Sequence, residues 1–262
     1  MKPWLCLLSI VLLNACGSAK TAPETNTHPP EPLLSGSEFL TTETRALQAD
    51  DFANPGYLWV DQGKALFEAA EGSSPSCAAC HTDENGSLEG AAAKYPRWDS
   101  EDRRMMNLEG QINACRSSQQ QLSPLEYESN ELLSLTAYVA NLSKAHPITV
   151  ERDPGAEYAF DQGFEYFTTR RGQFNLSCAN CHQDNWGQSL RGDTISQGHG
   201  NGFPAYRLEW QTLGSLHRRF QDCDTGVRAA PKELGSDTYL ALEYYLAVRA
   251  AGLEVEAPGV RR

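Results

Sequence analysis

"CAACH" at residues 77–81 and "CANCH" at 178–182 are the stretches that decide the fold of this 262-residue chain. In C-x-x-C-H the two thiols form thioethers to the vinyl groups of one porphyrin, and the adjacent histidine lies beneath the iron. The pattern assigns Cys77, Cys80, Cys178 and Cys181 to covalent attachment of two haem c groups, and His81 and His182 to the irons as proximal ligands. A single copy also fits a redox dithiol; two copies in one chain select haem.

The flanks of the motifs repeat as well. "DQGKALFEAA" (61–70) precedes the first and "DQGFEYFTTR" (161–170) the second at nearly the same distance. "YP" (95–96) and "FP" (203–204) follow, and in each case a cysteine, Cys115 or Cys223, comes nineteen residues after the proline. Apolar residues at three- and four-residue steps then predict one helix over 131–144 and another over 239–252. Self-similarity of this kind means two related units. The expected class is mainly α: two cytochrome c-like haem domains, 46–150 and 151–262, packed face to face. Their boundary falls in the polar segment "SKAHPITVERDPG" (143–155). The second unit has an extra glycine-rich loop, "RGDTISQGHGNG" (191–202), expected as a turn or lid over the second haem.

The N-terminus carries a different signal. Lys2 and the apolar run "WLCLLSIVLL" (4–13) have the length of an export signal and are too short to span a bilayer. "LNAC" (13–16) resembles a bacterial lipobox, giving a signal segment over 1–16 and a lipid anchor on Cys16. Residues 17–45, rich in Pro, Thr and Ser at their start and containing His28, read as a tether. A formal charge of −12 argues against general nucleic-acid binding, so any anion site must be local.

Once Cys6, Cys16 and the thioether cysteines are set aside, Cys115 and Cys223 remain. Their equal offsets within the two units favour separate distal ligation of the two irons over a disulfide joining them. Met105 and Met106 offer thioether ligation in the first unit only, because the second has no methionine. His146, His199 and His217 have no equivalents in the other unit and read as surface or locally bonded residues. Thiolate ligation holds the iron oxidised and closes the position that a peroxide or gas would need.

The repeat also supplies a control. Four residues before the distal cysteine stands Gln111 in one unit and Arg219 in the other; twenty-six residues after it stand Asn141 and Arg249. Guanidinium groups bind oxyanions in bidentate fashion and favour a thiolate. The second unit is thus expected to bring an anionic, oxygen-bearing sulfur compound to Cys223.

The set "CAACH", Cys115, "CANCH", "RFQDC" (219–223) and "RAAGL" (249–253) resembles the dihaem SoxA family over about residues 45–253. The resemblance implies that Cys223 is both distal ligand and cysteine-persulfide intermediate. It implies that Arg219 and Arg249 hold substrate and that Cys115 ligates the first iron. The implied activity is that of an L-cysteine S-thiosulfotransferase, joining thiosulfate oxidatively to a cysteine of the carrier SoxYZ. Electrons would leave through haem to SoxX, a monohaem partner in a periplasmic heterodimer. The lipobox, and an apolar tripeptide after Arg249, depart from the family pattern. An electron-transfer protein with no chemistry of its own leaves the one-sided arginines unexplained, and a dihaem peroxidase needs an open iron.

Overall fold

Each half is built on a helix that carries Asp-Gln-Gly, and the glycine is what lets that helix approach its partner. A Cβ on Gly63 would lie 1.9 Å from the Ser134 carbonyl oxygen, and one on Gly163 would lie 2.1 Å from that of Ala241. Both distances are inside van der Waals contact, so only glycine allows the backbones to cross this closely. The repeated tripeptide is therefore a helix-crossing device used twice.

The computed structural model describes residues 30–82 and 86–262; the apolar run with Cys6, "LNAC" with Cys16, and His28 lie outside the described residues. After α1 (Thr42–Ala49), the first half runs α2 (Tyr57–Glu68), α3 (Cys77–Cys80), β1 (Arg97–Asp99), β2 (Arg104–Met106), α4 (Leu108–Ser118) and α5 (Asn130–Asn141). The second runs α6 (Glu157–Thr168), α7 (Cys178–His182), β3 (Ser189–Leu190), β4 (Asp193–Thr194), β5 (Ala205–Arg207), β6 (Thr212–Gly214), α8 (Leu216–Gly226), α9 (Asp237–Arg249) and β7 (Gly259–Arg261). The mainly helical class and the repeat agree with expectation. The repeat extends to the two short antiparallel hairpins, β1–β2 and β5–β6, each entered through a cis proline, Pro96 or Pro204. The strand β7 adds in parallel to β5. No helix among the described residues is long and apolar enough to cross a membrane.

One apolar core joins the halves. Ala93, Met105, Leu108 and Val139 pack in the same cluster as Tyr244, Ala250, Val255 and Ala257. The segment expected as a polar connector belongs to that core: Ile148 and Val150 are buried, and the Ile148 amide donates to the Leu253 carbonyl (2.8 Å). Satisfying buried backbone groups forces this pairing. The expected tether also differs from its reading. Ser35 and Ser37 donate to Glu256 at 2.6 and 2.7 Å, and Leu34 N–H donates to Gln197, so the described part of residues 17–45 is docked on the second half.

Candidate functional site

Serine starts both motif helices. The Ser76 hydroxyl accepts from the Ala79 amide (3.2 Å) and the Ser177 hydroxyl from the Asn180 amide (3.3 Å). These N-caps begin α3 and α7 at the first cysteine, and three residues of helix then place the second on the same face. Cys115 and Cys223 are delivered in a matching way. The helix α4 is capped by Asn107 and α8 by Ser215, and each cysteine follows its cap by eight residues. All six described cysteines are free thiols, so no disulfide joins Cys115 to Cys223. Instead, Cys115 interacts electrostatically with Cys77, and Cys223 with both Cys178 and Cys181. Each of these cysteines thus comes to the motif of its own half, Cys115 to Cys77 and Cys223 to Cys178 and Cys181, while Cys80 and His81 in the first and His182 in the second are joined to them through the motif alone.

The histidines fit axial ligation to haem. His182 Nδ1–H donates to the Ser196 carbonyl (2.8 Å), and His81 Nδ1–H donates to that of Gly86 (3.2 Å). A carbonyl only accepts, so Nδ1 carries the proton and the Nε2 lone pair is left for a metal. Burial, with smaller contributions from the charges of Arg219 and Arg249, holds the His182 pKa down at about 4, and the ring neutral. Met105 and Met106 are buried in the core. Of the other histidines, His146 stands 3.7 Å from Glu89 with its side chain partly exposed. His199 and His217 are not surface residues. His199 is buried beside the Gln197 side chain (3.2 Å), with its pKa pushed down to about 3 by burial. His217 is buried between the Gly235 amide and Glu243, each 3.0 Å away.

The loop 191–202 is no lid. Ser196 accepts from His182, the Gln197 carbonyl accepts from Arg249 Nη1 (3.3 Å), and the Gln197 side chain donates to the Pro32 carbonyl (2.8 Å). The loop is clamped on the proximal-histidine side because the fully buried Gln197 finds its partners there.

The arginines separate into matched and unmatched groups. Arg207 pairs with Glu209 at 3.0 Å, and Arg218 with Glu128 at 3.7 Å. Arg219, half-buried one helical turn before Cys223, makes no ion pair among the described residues. Arg249 ends α9, is 3% exposed, donates to Gln183 Oε1 (2.8 Å) and lies over the Phe167 ring (4.6 Å). Its Nε has no partner, and no carboxylate neutralises it among the described residues. In the first half, Gln111 donates to the Cys115 sulfur (3.3 Å) and Asn141 to the Tyr57 hydroxyl (3.2 Å). In the second half, two arginines without an ion pair among the described residues thus stand where the first half has amides, and both act on His182.

A family model described as "SoxA/TsdA, cytochrome c domain" matches residues 62–148 and 162–255. The chain is also 40% identical to the L-cysteine S-thiosulfotransferase subunit SoxA of Pseudaminobacter salicylatoxidans, over 90% of this chain and 83% of the relative. The chain belongs to the SoxA family. It is 37% identical to the SoxA subunit of Rhodovulum sulfidophilum over 87% of this chain and 80% of that one. Its fold matches the crystal structure of SoxXA from P. pantotrophus with a TM-score of 0.83 and 36% identity, covering 90% and 92% of the two chains. SoxA membership establishes two cytochrome c domains here, and with them the implication of haem c.

Sequence reasoning missed a buried group at the residue after Cys223. Asp224, 2% exposed, accepts from the hydroxyls of Tyr166 and Tyr239, both at 2.7 Å, and pairs with Arg171 at 3.3 Å. The signal was present in the repeat. Arg171 aligns with Glu71 ahead of the motif, and Asp224 with Arg116 after the distal cysteine.

Proposed function

We propose that this chain catalyses the oxidative conjugation of thiosulfate to a carrier cysteine, as a periplasmic L-cysteine S-thiosulfotransferase subunit working with a SoxX-like monohaem cytochrome and a SoxYZ-like carrier. One thiosulfate dianion and one thiol give an S-thiosulfonate monoanion, a proton and two electrons. The observation that carries this reading is that Arg219 and Arg249, neither of them in an ion pair among the described residues, stand in the second domain at the two positions where the first has Gln111 and Asn141. Joining two anionic sulfur species requires their repulsion to be screened where the bond forms, and fixed guanidinium groups do that without reorganisation. Cys223 carries the reacting sulfur, as a persulfide, and Arg219 orients the thiosulfate oxygens, with Arg249 behind it.

Two covalently attached haem c groups are held by Cys77 and Cys80 with His81 and Cys115, and by Cys178 and Cys181 with His182 and Cys223. Haem, when bound, supplies the acceptor for the electrons. The names of the relatives, which share this domain pair over four-fifths of their length or more, support the activity. The partner cytochrome is supported by the SoxXA structural match. Anchoring through a lipidated Cys16 is part of the same reading. The intact mass of protein from the native host reports it together with the haems, and an unmodified N-terminus beyond residue 16 removes the anchor.

The test is turnover by the purified protein with its partner cytochrome, thiosulfate and the carrier. Cys223→Ala abolishes thiosulfate-dependent electron release, whereas Cys115→Ala retains most of it. Turnover by Cys223→Ala at the parent rate overturns the assignment.

A further inference from the structure

An ion pair occupies the same place in both halves, with its charges exchanged. In the first, Glu71 ahead of the haem motif binds Arg116, the residue after Cys115, at 3.1 Å. In the second, Arg171 binds Asp224, the residue after Cys223, at 3.3 Å. Each pair ties the loop that opens the motif, closed by the bridges Glu71–Ser74 and Arg171–Leu176, to the helix that carries the distal cysteine. A tether alone works equally well with either sign. The burial differs too: the Glu71 side chain is 63% exposed and its counterpart Arg171 16%, and Arg116 is 12% exposed and its counterpart Asp224 2%.

The second pair sits in a network the first lacks. Two tyrosine hydroxyls donate to Asp224 Oδ2, and Arg171 lies over the Tyr166 ring at 3.7 Å. The same guanidinium donates to the Cys178 sulfur at 3.6 Å. Burial and then the bond to Asp224 push both phenols well above their ordinary range, so they remain donors. A buried carboxylate with three donors is fully satisfied and stays fixed in place.

We propose that Asp224 is a positioning residue for the transfer reaction, fixing the turn that carries Cys223 and keeping the negative end of its ion pair on the helix that carries that cysteine. This rests on the function proposed above. Forming the new sulfur–sulfur bond removes two electrons, and an ion pair whose negative end lies on the Cys223 helix eases their departure. The cation Arg116 beside Cys115 opposes it, so the sign of the pair, together with the unmatched arginines, separates the reactive half from its twin.

Two variants test this, read by spectropotentiometry of each haem and by turnover with thiosulfate and the carrier. Asp224→Asn keeps the shape and removes the charge. It should retain two haems, raise the midpoint potential of the second haem alone and slow turnover at least tenfold, and Asp224→Glu should recover most of the rate. The second variant, Glu71→Arg with Arg116→Asp, writes the second half's sign into the first pair, whose Glu71 side is exposed. It should lower the midpoint potential of the first haem and leave turnover unchanged. Parent-like potentials in both variants overturn the proposal, as does parent-like turnover by Asp224→Asn. If Asp224→Asn loses its haem, the first-haem potential of the exchanged variant decides alone. Absence of thiosulfate turnover in the parent refutes the proposed function instead, and the potentials still report the effect of the sign.

Discussion

Arg219→Gln writes the first half's residue into the second, and the structure makes its effect easy to interpret. Arg219 has no carboxylate partner among the described residues, so its removal orphans no buried anion. Its charged neighbours are Arg207, whose guanidinium it destabilises, and the exposed Glu209, whose carboxylate it favours, so the substitution relieves one repulsion and gives up one solvent-screened attraction. Folding stability should therefore stay within about 0.5 kcal/mol of the parent, as for most partly exposed substitutions. A hydrogen bond to a charged group contributes about 1.5–3 kcal/mol. Since each ~1.4 kcal/mol is tenfold in rate, turnover should slow by roughly ten- to a hundredfold. Arg249→Asn is a harsher change, because it strips donors from Gln183 and the Gln197 carbonyl and empties space over Phe167. It should lose stability of about 1–3 kcal/mol besides rate, which makes Arg219 the cleaner probe. The assay is thiosulfate-dependent electron release at saturating carrier, alongside the haem spectrum and a thermal melt. Parent-rate turnover by Arg219→Gln would refute the reasoning and favour an electron carrier.

Three other expectations follow from the geometry. Electron paramagnetic resonance of the oxidised protein should show two low-spin thiolate-ligated haems, with Cys115→Ala removing one signal and Cys223→Ala the other; a signal that survives both counts against thiolate ligation at that iron. Gly163→Ala drives a methyl group into the Ala241 carbonyl, so the overpacked crossing should cost about 1–3 kcal/mol. That lowers the melting temperature by roughly 2–12 °C, and an unchanged melt would mean that α6 and α9 do not cross there. Burial, reinforced by Glu243, pushes Glu109 up to about 7. The folded chain therefore holds this proton more tightly than the unfolded chain, whose glutamate titrates near ~4.3. The stability it contributes is fully present below that value and is lost as pH rises toward 7 and beyond. Glu109→Gln should then gain on the parent between pH 5 and 8, on the order of 1–3 kcal/mol, and parallel melting curves across that range would exclude the effect.

Much of this molecule was written locally. Haem attachment needs two thiols and a histidine within five residues, and the helix turn that aligns them is capped by the serine immediately before, so "SCAAC" and "SCANC" carry their own geometry. The internal repeat made the matching placement of Cys115 and Cys223 legible, because each lies at a fixed distance from its cap on a helix of the same length. The Asp-Gln-Gly repeat was visible, but its purpose was not, since the carbonyl that excludes a side chain belongs to a helix some seventy to eighty residues later.

What only the tertiary structure decided is which charges are cancelled. Arg218 and Arg219 are adjacent and chemically identical, and nothing in the sequence ranks them. An α-helix turns about 100° per residue, so the two guanidinium groups leave α8 in different directions. Arg218 reaches Glu128, ninety positions earlier and in the other half, while Arg219 makes no ion pair among the described residues. The clamped loop 191–202, the docking of residues 32–37 on Glu256 and Gln197, and the tyrosine cage around Asp224 arise the same way. Each depends on partners brought together across the fold, and a local pattern of residue types carries no record of such distances.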